Sequence, residues 1–212
     1  MKNLIHKILL VTPLFFFPAC EDSGPIHGCL DSQACNYNSQ ASIDNNSCEY
    51  ISCLEVGDQY EGGIIFYLNE TDGGGLVAAM EDVEGTYIWG CSSMLTNANG
   101  EVIGTGYENT MDIVSNCSDS PIAATVSLSF ESEGYNDWYL PSIEELSEME
   151  QTIGYFGPEG NIGGFSTSNY WSSTERDQWN SYTIYFHPEY SSGPGANTKQ
   201  RSDVRVRPIR SF

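Results

Sequence analysis

Seven cysteines constrain this chain more than any other feature of its sequence. Cys29, Cys35, Cys48 and Cys53 crowd into residues 28–53, Cys91 and Cys117 lie far from them, and Cys20 stands alone near the N-terminus. No two are spaced as Cys-x-x-Cys. Beyond residue 20 the histidines are His27 and His187, so a zinc site would be hard to assemble. A stretch as short as 28–53 cannot bury enough apolar surface to hold itself together and depends on cross-links. Its four cysteines allow three pairings, and the sequence does not choose among them.

The N-terminus says where such cross-links could form. Lys2 and Lys7 precede an apolar run, Ile8 to Phe17, broken only by Thr12 and Pro13. That run is short of the ~20 residues a helix needs to span a bilayer, and it fits the apolar core of a secretory signal. Ala19 then precedes Cys20, and the arrangement resembles the lipobox of bacterial lipoproteins. The resemblance implies a signal peptide over 1–19, lipidation of Cys20 and a tether over 20–27. Setting Cys20 aside leaves an even six cysteines, which in an exported chain reads as disulfides. Glu21 and Asp22 after the anchor resemble the surface-export signal of Bacteroidetes lipoproteins, although they are equally ordinary linker residues. The expectation is an outer-membrane, lipid-anchored protein facing the cell surface.

Charge narrows the partners. The whole chain carries a formal net charge of −21, and losing Lys2 and Lys7 with the signal makes the remainder more acidic still. Such a surface repels phosphate backbones, so nucleic acid is not an expected partner. The local exception is the C-terminal cluster Lys199, Arg201, Arg205, Arg207 and Arg210.

Residues 28–53 resemble a cysteine-rich module frequent in exported Bacteroidetes proteins, through Gly28-Cys29-Leu30-Asp31, Ala34-Cys35-Asn36-Tyr37-Asn38 and Asp44-Asn45-Asn46-Ser47-Cys48-Glu49-Tyr50. Asp31, Asn36, Asn38, Asp44 and Asn46 offer the hard oxygen ligands that Ca²⁺ prefers. The same residues are also the default formers of turns, and their spacing is not that of an EF-hand loop. No other cofactor is expected.

From Val56 onward the pattern is that of one mixed domain. Ile64 to Leu68 reads as a buried strand, Asp72 to Gly75 as a turn and Leu76 to Ala79 as the returning strand of a hairpin. Thr86 to Trp89 is a third candidate strand. Asn109 is placed to cap a short helix reaching about Cys117, and Ser120-Pro121 to start another. Ser142 with Glu145 forms a capping box, after which Ile143, Leu146, Met149 and Ile153 make one apolar helical stripe. Alternation marks a strand through Tyr182, Ile184 and Phe186, and a final one through Val204 and Val206 with Arg205 and Arg207 on its outer face.

Several ordered motifs carry a further resemblance. Val56-Gly57-Asp58 with Tyr60 to Leu68, then Gly75 to Ala79, Trp89-Gly90-Cys91, Ile103 to Gly106 with Asn109-Thr110, Asp137 to Ser142, Tyr170 to Glu175 and Val204 to Arg210 together look like the C-terminal domain of the Legionella collagen-like adhesin. The resemblance covers 56–212. It implies an α+β, C-type-lectin-like fold, related to that of the formylglycine-generating enzyme, with two or three short helices and small twisted antiparallel sheets, beside the small disulfide-rich module. In a domain so bounded Cys91 and Cys117 are the only cysteines, and they are expected to pair.

Function then divides into classes. The adhesin's domain binds sulfated glycans, but the acidity of this chain opposes them, so a neutral glycan or a surface protein is the expected partner. Tyr155, Trp179 and Tyr190 are the candidate ligand contacts, because aromatic faces stack on apolar sugar faces. Trp138 and Trp171, inside tight motifs, read instead as core. An enzyme is the rival class, and the residues argue against it. No cysteine follows Cys117, His187 is the only histidine of the domain, and Trp179-Asn180-Ser181 has Ser where calcium-dependent lectins place Asp. A structural envelope lipoprotein without ligand is the third.

Overall fold

The computed structural model describes residues 24–212 except 33, 51–52 and 70–72. The signal, Cys20, Glu21, Asp22 and the first residue of the expected turn at Asp72 lie outside the described residues. The chain parts into two units, with the division between Tyr50 and Ile51. Three disulfides are present.

In the small unit, β1 (His27–Gly28) pairs in parallel with β2 (Ile43–Asp44). Two residues per strand cannot sustain a sheet, and the bond between Cys29 and Cys48 supplies what the ladder lacks. Cys35 and Cys53 are disulfide-bonded as well. Gly28 packs closely, since a Cβ there would lie 3.1 Å from Asn38 Cβ and 3.2 Å from Ala41 Cβ.

The larger unit is mixed helix and sheet. Its first sheet runs β3 (Gln59–Tyr60), β4 (Gly63–Leu68), β5 (Gly75–Ala79) and β9 (Ile209–Ser211), all antiparallel. The continuous apolar runs of β4 and β5 have a plain cause, because both faces are covered. Ile64 and Phe66 enter one core cluster, while Ile65, Val77 and Ala79 meet Trp138 in another. The second sheet is β6 (Ser168–Glu175), β7 (Asn180–Phe186) and β8 (Pro194–Thr198). Between the sheets lies α3 (Ile143–Thr152), in contact with β4, β6 and β7.

Local chemistry explains α3 closely. Ser142 Oγ accepts from Glu145 N, and Glu145 Oε2 accepts from Ser142 N at 2.6 Å. Ile143, Leu146, Met149 and Ile153 are all buried. Trp138 and Trp171 are fully buried, and so is Trp89.

Four expectations need correction. Asn109 does not cap its helix, which is α1 (Gly106–Asn116) with Thr105 as N-cap. One turn in, its buried amide accepts from Gly100 N and donates to Gly100 O and Ser173 Oγ, satisfying a loop backbone that has no ladder. The next helix, α2 (Ala123–Leu128), begins after Ile122 rather than at Ser120-Pro121, and Thr125 Oγ1 accepts from Ile122 N. Residues 86–89 form no strand. Gly85 and Gly90 flank them at φ +93° and +103°, and Tyr87 N and Trp89 N donate singly to Val204 O and Lys199 O. At Gly90 a side chain would strike Ile122 Cγ2 at 2.8 Å. Finally, 204–207 makes only an isolated bridge, Arg205 to Tyr170. Arg207 is buried there, so the expected basic outer face does not exist.

Candidate binding surface

β7 ends at Phe186, and His187, the next residue, stacks its ring against that of Tyr185. Tyr190 folds back onto them. The His187 and Tyr190 ring centroids are 4.3 Å apart at 25°, and those of Tyr185 and His187 are 5.6 Å apart at 29°. Tyr190, whose ring also lies 6.4 Å from that of Tyr185, is 51% exposed. The loop is tied down by small polar groups. Glu189 N donates to His187 Nδ1, Tyr185 N donates to Ser192 Oγ, and Ser191 Oγ donates to Glu150 Oε2 at 2.8 Å. Glu150 is fully buried, and burial pushes its carboxyl above the usual range, against the lowering effect of its bonds to Ser191 and Gln151.

The three expected ligand aromatics are not brought together. Trp179 precedes β7 and Tyr190 follows it, and at roughly 3.3 Å per residue the seven-residue strand separates them by ~20 Å. Trp179 sits in a turn held by Asp177, whose Oδ1 accepts from Trp179 N and Asn180 N. Those bonds, the one from the Asn180 side chain foremost, hold the Asp177 carboxyl below its usual range. Tyr155 is half-buried against the core, and its hydroxyl donates to Phe165 O at 3.0 Å. Tyr185 and His187, Tyr190's actual partners, escaped the sequence reading. Their i, i+2 spacing at the end of an alternating strand was the available signal.

The basic cluster is consumed internally. Lys199 Nζ binds Glu175 and Met94 O beneath the face of Trp89. Arg201 pairs with Asp203. Asp82 takes both Arg205 at 3.2 Å and Arg207 at 2.8 Å, and Arg207 also reaches Ala79 O and Gly163 O. Arg210 bridges Asp137 and Glu61 over Tyr135. Among the described residues these pairs engage every cation except Arg176.

The five candidate calcium ligands all lie in the small unit. In the small unit Asn36 Oδ1 accepts from Glu49 N, Asn38 Oδ1 from Gln40 N, Asp44 Oδ1 from Asn46 N and Asp31 Oδ2 from the Tyr50 hydroxyl. Asn46 itself holds a left-handed turn at φ +55°. Among the described residues the His, Cys, Asp and Glu side chains that converge are Cys91, Cys117 and Asp119. The two sulfurs are already bonded to each other, and Asp119 accepts from Cys91 N.

No protein-family model matches this chain, and no curated protein does. Among solved structures it is similar to a fimbrial protein from Bacteroides ovatus ATCC 8483, with 14% identity, a TM-score of 0.48, and coverage of 84% of this chain and 50% of that one. The chain therefore spans about half the length of that protein. Among the described residues no helix is long and apolar enough to cross a membrane.

Proposed function

We propose that this chain is an exported lipoprotein, anchored through Cys20 at the outer membrane, whose larger unit is a C-type-lectin-like domain that binds a neutral glycan without chemical turnover. The observation that carries the binding assignment is the cluster of Tyr185, His187 and Tyr190, in which Tyr190 is half-exposed. A preset stack costs little ordering when a sugar adds one more apolar face. The exposed carboxylate of Glu189 borders the rings in sequence, which suits a ligand bearing hydroxyls. The internal pairing of the cations favours a neutral ligand over a sulfated one.

A glycan array probed with the purified lipoprotein tests this. Binding to neutral glycans is expected, weakened about tenfold or more by Tyr190→Ala and largely kept by Tyr190→Phe. An array without neutral hits, or a Tyr190→Ala protein that binds like wild type, removes the assignment.

A further inference from the structure

The solvent face of α1 is mixed, with Tyr107 and Met111 exposed beside Glu108, Ser115 and Asn116. Tyr107 is 48% exposed and Met111, four residues on, 36%. One turn further, Val114 lines an open cavity of about 290 Å³ with Met94, Cys91 and Cys117 and the polar Ser115, Asn116 and Ser118. Leu95, next to Met94, is 60% exposed. Single exposed apolar residues are ordinary. A run of them along one helix into a concavity marks an interaction surface.

The end of this strip is held with unusual firmness. Cys91 and Ser93 adopt left-handed conformations at φ +45° and +72°, which are strained for residues that carry a side chain. The Cys91–Cys117 disulfide, the bond from Lys199 Nζ to Met94 O, and those from Thr96 N and Asn97 N to Glu175 keep the segment in place. None of these contacts needs Met94 or Leu95 to be exposed. A rigid backbone that presents two large apolar side chains to water is suited to a partner.

Charge selects the partner. Glu108 and Asp112 flank the strip on α1, which carries no basic residue, and Asp119 follows the disulfide. Lys199, whose head reaches this segment, is buried and paired. A second copy of the chain would oppose one acidic rim with another. We propose that the strip formed by Tyr107, Met111, Val114, Met94 and Leu95 docks a basic amphipathic segment of a partner protein. Its apolar side chains fill the strip, and its Lys or Arg side chains meet Glu108, Asp112 and Asp119. The methionines let the surface adapt to the incoming side chains.

The test uses the mature chain carrying Cys20→Ala, which keeps it out of lipid, and a labelled Leu/Lys peptide of about 18 residues with helical amphipathic spacing. Fluorescence anisotropy at physiological salt should show this peptide binding at least about tenfold more tightly than a scramble of the same composition. Met94→Ser with Met111→Ser should remove that advantage without changing the melting temperature. Tyr190→Ala should leave it intact, so this inference and the glycan assignment fail separately. Equal binding of the scrambled peptide, or undiminished binding by the double variant, overturns the proposal. So does a dimer in analytical ultracentrifugation that the double variant dissolves, because it would make a second copy the occupant.

Discussion

Lys199 Nζ lies 2.5 Å from Glu175 Oε1, and the two side chains are 0% and 4% exposed. The ammonium also donates to Met94 O at 2.8 Å, and the carboxylate accepts from Thr96 N and Oγ1. One buried pair thus joins the end of β6, the segment after β8 and the loop carrying Met94 and Leu95.

Removing one partner from a buried pair leaves a charge without compensation, which costs about 3–5 kcal/mol. Lys199→Met should therefore destabilise the chain by about that amount in urea unfolding. Lys199→Met combined with Glu175→Gln should be less destabilised than the single variant, because the amide keeps an acceptor for Thr96 without a buried charge. A single variant within about 1 kcal/mol of wild type would mean that the pair is not buried as described.

Glu150 supplies a pH prediction. Its carboxyl is raised above the usual value by burial, and Oε1 is buried without a hydrogen-bond partner among the described residues. A raised value in the folded state gives stability that is complete below the unfolded value and is lost as pH climbs through the folded one. Asp137, held low by its bond to Arg210, works in the opposite sense, so the informative quantity is a difference between proteins. As pH rises above the ordinary Glu range, the melting temperature of wild type should fall relative to that of Glu150→Gln. Parallel curves for the two would show that Glu150 does not titrate in this way.

Heparin should bind negligibly at physiological salt. Arg205 and Arg207 share Asp82, and Arg207 is buried, so the C-terminal cations present no open patch. Long-range repulsion is screened beyond about 8 Å, which leaves the absence of a local patch as the deciding factor. Micromolar affinity in surface plasmon resonance, abolished by Arg205→Glu, would contradict this reading.

Lipidation of Cys20 is tested by metabolic labelling with a clickable fatty acid. Wild type should take up label and enter the membrane fraction, and Cys20→Ala should do neither. Equal labelling of both proteins would end the lipoprotein assignment.

Much of the framework was legible in the chain alone, and α3 shows why. The Ser142–Glu145 capping box and the stripe Ile143, Leu146, Met149, Ile153 lie within four residues of their partners, and local geometry decides them. The strands 63–68, 75–79 and 180–186 announce themselves in the same way, through apolar runs or alternation bounded by turn residues.

Long-range partnership was not legible. Val204 and Val206 alternate with arginines just as an edge strand would, yet Arg207 turns inward to Asp82, 125 positions away. Periodicity records which residues share a face but not whether solvent or another segment covers it. The same limit explains Asn109, which reads as a helix cap and instead ties the loop before its helix at Gly100 to Ser173 in β6. It also explains the candidate aromatics. Tyr155, Trp179 and Tyr190 are alike in composition, but β7 sets Trp179 and Tyr190 at its opposite ends, while Tyr155 leans on the core. The stacking of Tyr190 on His187, and the acidic rim around Met94 and Met111, exist only once the chain has folded. Buried polar groups must find partners wherever the fold places them, and that requirement has no local signature.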